Sequence, residues 1–280
     1  MESVWVQLSE LYASELPLST SSAFITHGAS TWGVLLCGWL SFCFLIDLFA
    51  ENVEYIRRSK IQSYEKTADP KLRALARETV TRNWLFVLVQ TIAWAPFLKL
   101  AFPLWKNETN KAISLLDFVS FYAISLVSAD FLFTVFHTLF HEIPWLYKFA
   151  HKEHHTWKSP YVWMSHAMSF TELAANGISV MAYPLFHSVV LSKTTSLEMV
   201  WSIQLIAQLI GCIEHSGYAA LNPLVIINAD QFPSWLFTTT KHHDDHHKYF
   251  QGNYGGYLAI WDYLMGTELQ ISKRPINKIS

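Results

Sequence analysis

The sequence predicts an all-α, polytopic membrane protein, with about four to five membrane-embedded helices carrying a histidine-rich helical cap on one side. Three observations carry this. Of 280 residues, 51% are hydrophobic and only 15% charged, against roughly 25% charged in ordinary soluble domains, and the mean hydropathy is +0.20. Apolar runs of membrane-crossing length recur along the chain. Histidines recur at helical spacing beside those runs, five of them within the twenty residues from Phe136 to His155. A formal net charge of -2 without a basic stripe argues against a nucleic-acid partner.

Residues 1–29 are mixed in character. They lack a basic stretch leading into an apolar core, so no cleaved signal peptide is expected, and the isolated His27 reads as structural or solvated. Thr31 to Ala50 is the first span, about the 20 residues a bilayer needs, with Asp47 at the interface or against protein. Glu51 to Asn83 is polar and carries eight Lys or Arg, among them Arg57, Arg58 and Lys60, which marks a cytoplasmic segment. Trp84 to Trp105 is the second span, with a kink expected at Pro96. The short loop after it holds Asn107-Glu108-Thr109, a glycosylation sequon that would be lumenal.

Ile113 to Phe136 crosses back and delivers the first histidines. Asp130 lies inside this run, about two turns before His137 on the same face, placed to hold a ligand imidazole; the bland alternative is a buried, hydrogen-bonded acid. Leu173 to Leu191 and Leu197 to Ile213 form a hairpin, spanning or shallowly re-entrant. His187 within it reads as structural. From Ala219 onward no span is expected. Cys37, Cys43 and Cys212 sit in apolar runs and read as core residues. Residues 1–136 thus form an N-terminal membrane region and 137–280 a histidine-bearing region, integrated as one domain.

The histidines group as His137 and His141, then His151, His154 and His155, then His243, His246 and His247. Residues i, i+3 and i+4 share a helix face, so each group is expected to present one cluster. The span order brings all three groups, His215 and the basic segment to one side. Neutral imidazole binds Zn, Fe, Cu and Ni alike, so spacing does not choose the metal. The HExxH protease helix is absent, because Ile143, Pro144 and Trp145 follow His141-Glu142. The Glu-x-x-His pairs of carboxylate di-iron bundles are also missing. Eight or more imidazoles exceed one four-coordinate site, so two metals are expected. An all-nitrogen site with open positions suits iron handling oxygen better than hydrolysis.

HTLFH (His137 to His141), HKEHH (His151 to His155), EHSGY (Glu214 to Tyr218), HHDDHH (His242 to His247) and WDYLMGT (Trp261 to Thr267) together resemble the membrane fatty-acid hydroxylase and sterol desaturase superfamily. Within it, HEIPWLYKFAHKEHH, MSFTEL (Met168 to Leu173) and HSGY are similar to the cholesterol 25-hydroxylase-like group. The resemblance implies two irons on the cytosolic face of the endoplasmic reticulum membrane, held by His137, His141, His151, His154, His155, His215, His243, His246 and His247. It implies O2 and two electrons, from cytochrome b5 or a similar carrier with its NAD(P)H reductase, driving hydroxylation of a lipid, most of all a sterol. Sterol desaturation and C4-methyl oxidation belong to the same superfamily, and a non-catalytic metal-binding membrane protein is the alternative of another class.

Ser165-His166-Ala167 is similar to a stretch of sterol C5-desaturases, but Met168 and Ser169 follow where a second histidine is usual. His166 is therefore an extra ligand or a polar wall residue, and His242 an outer ligand or a neighbour of one. Asp130, Glu214, Asp244 and Asp245 are placed to orient ligand imidazoles, with solvated side chains the equal alternative for Asp244 and Asp245. Trp157, Tyr161, Trp163, Met164 and Phe170 are the candidates to line an apolar substrate pocket, with ordinary core packing the alternative.

Overall fold

The computed structural model describes residues 24–63, 69–102, 113–193, 195–221 and 235–269, which excludes the Asn107 sequon. The described residues are nearly all helical and contain no strand. Four helices are long and apolar enough to cross a membrane, and a fifth crossing is available from one bent pair.

Helix α1 (Ser30–Asn52) buries Thr31, Leu35, Trp39, Cys43, Ile46 and Ala50, a stripe stepping by three and four residues. Leu40, Phe44 and Leu48 on the other side are exposed, an apolar outer face suited to lipid. Cys43 and Cys212 are in the core as expected, but Cys37 is exposed on α1: it falls off the buried stripe, and lipid accepts a thiol as readily as a core does.

After the short α2 (Glu54–Arg58) comes α3 (Pro70–Ala93). Asp69 caps it by accepting the Lys71 N–H at 2.8 Å, and Pro70 occupies the first turn, where its missing N–H costs nothing. The helix thus starts well before the expected span at Trp84. Ala76, Val80 and Trp84 continue one buried stripe through the polar half, so tertiary packing carries the helix out of the apolar run. It bends by 62° into α4 (Ala95–Ala101), with Pro96 in the first turn of α4 as the cause.

Helix α5 (Leu115–Glu142) has 28 residues. At 1.5 Å per residue it is about 42 Å long, some 12 Å more than the hydrocarbon core. The surplus holds His137 and His141 beyond the apolar region. Helix α6 (Pro144–Leu146) is a single turn. Helix α7 (Phe170–Leu185) continues in wider turns to Val190, giving 21 residues, and α8 (Leu197–Glu214) has 18; each is long enough for a full crossing. Ser169 and Ser196 cap them by accepting the N–H groups of Glu172 and Met199. α7 packs along α5, and α8 along α1.

The cap is completed by α9 (Thr240–Tyr249) and α10 (Ile260–Met265). The basic segment packs against this cap. Gln62 Nε2 donates to Asp244 at 2.9 Å, Arg82 reaches Glu153 at 3.0 Å, and backbone pairing joins Ser59–Ile61 to Gly217–Ala219. Segments assigned to one side of the membrane from their composition are therefore in contact.

Candidate metal centre

Nine histidines converge from four places in the chain. His137, His141, His151, His155 and His246 form one group, and His154, His215, His243 and His247 another; within each group the ring nitrogens lie within 4.8 Å of one another. All nine imidazoles expected from the sequence are thus together. Their partition differs from the expectation of one cluster per HxxHH. His151 and His155 enter the first group while His154 enters the second. His243 and His247 enter the second while His246 enters the first. Positions i and i+4 are about 40° apart around a helix, whereas i+3 points about 100° from i+4, so each motif sits between the groups and serves both. Only the 243–247 motif lies on an α-helix. His151 ends a wide turn and His154–Thr156 is a tight 3-10 turn.

The outer ring nitrogens are held by the backbone. Nδ1 of His137 bonds the Tyr254 carbonyl at 2.8 Å, and those of His154, His215, His246 and His247 bond the carbonyls of Ala167, Gly211, Gly252 and Trp157 at 2.7–3.1 Å. A carbonyl accepts only, so each of these nitrogens carries the proton and Nε2 is left as a lone pair. Yet the Nε2 atoms face one another: His154 and His215 at 3.2 Å, His137 and His151 at 3.0 Å, His155 and His246 at 3.1 Å. For His154 and His215 no proton is left to place between them.

Protonating the pair is opposed as well, because burial pushes His154 down to about 4 and burial with the neighbouring His154 pushes His215 down to about 3. Lone pair against lone pair at such distances requires a cation. Ligands at about 2.0–2.1 Å from one ion, at right angles, stand about 3 Å apart, which matches the spacing seen. The donor set fits a divalent first-row metal in each group.

Among the described residues, one carboxylate touches a ligand imidazole. Glu172 Oε2 lies 2.9 Å from His151 Nδ1, both groups buried. Ser169 sets it there: it caps α7 at the Glu172 N–H and its hydroxyl donates to the Ala150 carbonyl, tying α7 to the His151 turn. Sequence reasoning did not nominate Glu172. The signal that could have found it is a carboxylate opening an apolar helical run. Glu172→Ala, which removes the carboxylate beside Nδ1, is expected to weaken metal retention about 10–100-fold, the range for groups that support a ligand imidazole, and Glu172→Gln, which keeps the side chain's shape and an oxygen at that place, to lose less. A chelator-competition titration checks this; equal retention in all three proteins overturns it.

The other acids and histidines expected beside the ligands sit elsewhere. Asp130 accepts the N–H groups of Tyr257 and Leu258 and the Trp261 indole at 2.6–3.0 Å, so it anchors the loop whose Tyr254 carbonyl holds His137 and touches no imidazole itself. Glu214 accepts from Thr238, Asp244 from Gln62, and Asp245 pairs with Lys241. His242 bonds Asp262 at 3.1 Å, where Asp262 also accepts from Tyr254 and Gly255. His166 joins neither group. It stacks on Trp84, with ring centroids 5.2 Å apart, and faces a cavity.

That cavity, about 680 Å³, lies between α1, α3, α4, α5, α7 and α8 and ends on His137, His151, His154, His215 and His243. None of the five expected pocket residues lines it. Trp157 and Met164 are interior to the core with Tyr161 and Trp163 packed against them, and the Phe170 ring packs at a tilt on Phe86. The aromatic run closes the protein behind the histidines, and the cavity walls come from the spans.

The lowered proton affinities carry a stability prediction for metal-free protein. His154 and His215 stay neutral when folded down to about 4 and about 3 but bind protons near 6.5 when unfolded. The unfolded state therefore binds more protons below pH 6.5, and stability present above that value is lost as pH falls toward about 4. Melting curves of chelator-treated protein across this window should show a steep fall in Tm; a flat profile counts against neutral, buried imidazoles.

A sequence model of the fatty acid hydroxylase family matches residues 122–267, a stretch holding all nine histidines. The cholesterol 25-hydroxylase-like protein of Danio rerio is 27% identical, over 82% of this chain and 86% of that protein. Cholesterol 25-hydroxylase of Homo sapiens is 29% identical, over 82% and 79%. Lathosterol oxidase of Homo sapiens is 28% identical, over 49% of this chain and 40% of its own length. No solved structure matches the chain.

Proposed function

Because this chain belongs to the fatty acid hydroxylase family, we propose that it is a membrane-embedded di-iron oxygenase that hydroxylates a lipid, most of all a sterol, using O2 and two electrons. His137, His141, His151, His155 and His246 hold one iron, and His154, His215, His243 and His247 the other. The observation that carries this reading is the meeting of two imidazole groups, their lone pairs inward, with the end of an apolar cavity between membrane-spanning helices.

Imidazole suits iron, and two irons bound there supply the O2 activation that oxidising an unactivated C–H bond requires. The chain supplies the rest. Backbone carbonyls fix the imidazole orientations, and the Glu172 carboxylate lies beside His151. The spans admit a lipid from the bilayer and exclude water along it. Arg82 and Asn83 bond the Met168 carbonyl, at 3.1 and 2.8 Å, and so brace the loop whose Ala167 carbonyl holds His154. The basic segment against the cap supports a cytosolic site, and the family resemblance supports residence in the endoplasmic reticulum and electron supply from cytochrome b5 or a similar carrier with an NAD(P)H reductase. The relatives named for cholesterol hydroxylation support the sterol. A relative named lathosterol oxidase keeps desaturation as the second reading. A metal carrier without redox chemistry has no use for an apolar cavity ending on its ligands.

The test is lipid analysis of cells expressing the chain under labelled dioxygen, beside a His243→Ala, His246→Ala double variant. A sterol alcohol carrying the label, absent from the variant, is expected. An unlabelled sterol with one more double bond moves the reading to desaturase. Identical lipids in both lines refute catalysis.

A further inference from the structure

The cavity walls are mainly apolar; the hydroxyls of Thr31, Thr91 and Ser179 among them are taken up by helix carbonyls, and a belt of carboxamides stands partway along. Gln90 on α3, Asn176 on α7, and Gln204 and Gln208 on α8 all line it. Uncharged amides inside spans normally bond across helices. Here they find poor partners. The buried Oε1 atoms of Gln204 and Gln208 have no hydrogen-bond partner. The amide nitrogens of Gln204 and Asn176 reach only thioether sulfurs, of Met181 and Met168, both at 3.3 Å, and sulfur is a weak acceptor. Leaving such groups unpaired away from water costs roughly 1–3 kcal/mol each, which a ligand with a hydroxyl, both donor and acceptor, would recover.

The belt stands at a measurable height. Gln208 and Gln204 precede His215, the residue after α8, by seven and eleven positions, or about 10 and 16 Å of helix. The Gln204–Met181 contact agrees, since Met181 lies nine residues beyond Glu172 on α7, about 14 Å. Beyond the belt the far end is lined by apolar side chains, Leu185, Leu197 and Phe97 among them.

We propose that Gln204 and Gln208 bind the hydroxyl of the lipid substrate and so present its opposite, apolar end to the histidines. The inference rests on the lipid-hydroxylase reading and deepens it. In a sterol the ring hydroxyl then lies about 10–16 Å from the metal ligands, which selects carbons of the side chain. Ring carbons adjacent to the hydroxyl would sit only a few ångström from it and cannot reach the histidines from that position.

The experiment compares Gln204→Leu and Gln208→Leu, singly and together, with the unaltered chain in detergent. Binding of a sterol and of its 3-deoxy analogue is measured on metal-free protein, and the oxidised carbon is located after turnover of the full system. The variants should bind the sterol about tenfold more weakly, the effect of one buried hydrogen bond, and bind the deoxy analogue unchanged, which a general loss of folding would not spare. The unaltered chain should place its oxygen on the side chain. Equal losses for both ligands, or oxidation beside the ring hydroxyl, overturn the assignment while leaving the oxygenase reading intact. An unaltered chain that neither binds nor oxidises any sterol overturns both.

Discussion

His246→Ala should leave about one metal ion per chain instead of two and lower lipid turnover by more than about 100-fold, beyond the effect of losing an outer anchor. His246 is fully buried. Its Nε2 lies 3.1 Å from that of His155, and its Nδ1 is fixed by the Gly252 carbonyl at 2.8 Å. Although it sits on α9 between His243 and His247, it alone of that helix serves the five-histidine group. The variant should therefore empty that group and spare the other, while His243→Ala should do the reverse. Metal analysis of the two purified variants, alongside gel filtration to confirm folding, separates the possibilities. If either change removes both ions equally, the nine imidazoles form one cooperative site. If both ions and full turnover persist in His246→Ala, the ligand assignment fails.

Gly252 shows how tightly that arrangement is set. Its φ is +69°, a conformation favouring glycine, and a Cβ there would meet the Thr267 carbonyl oxygen at 2.5 Å. The carbonyl that orients His246 is available only because this turn has no side chain.

The histidines were legible because imidazoles repeated at i, i+3 and i+4 beside apolar runs suit a bound metal and little else. The partition between groups was not. It depends on where the backbone of each HxxHH stands between the two groups, and for His151–His155 that backbone is a wide turn followed by a tight one. The spans were legible from hydropathy, except α3, whose polar half is held by the Ala76, Val80 and Trp84 stripe that a mean hydropathy averages away. Glu172 was not legible because an acid opening an apolar run reads as an ordinary helix start, and it differs from Asp130 chiefly in what its carboxylate faces. The substrate cavity was illegible for a different reason. A cavity is a property of six helices together, and the aromatic run at 157–163 satisfies core packing and pocket lining equally well until the partners of Trp157 are known.

Asp130→Ala should be strongly destabilising, through the loop and not through the metal. The residue is wholly buried, and its two oxygens satisfy three donors, the N–H groups of Tyr257 and Leu258 and the indole of Trp261. Removing it leaves all three unpaired, at roughly 1–3 kcal/mol each, so a loss of about 3 kcal/mol or more is expected. The damage then travels in one direction. Asp262 pins the start of the same loop through Tyr254 and Gly255, and Tyr254 carries the carbonyl on His137. Freed at its far end, the loop should release His137 before any ligand of the four-histidine group. Asp130→Asn keeps one acceptor and turns the other position into a donor facing donors, so it should fall between the two proteins. Thermal melts of the three proteins, with metal counted in each, test the order. A normal melt for Asp130→Ala would mean that Asp262 alone holds the loop. A normal melt with one ion lost would return Asp130 to a direct role beside the imidazoles.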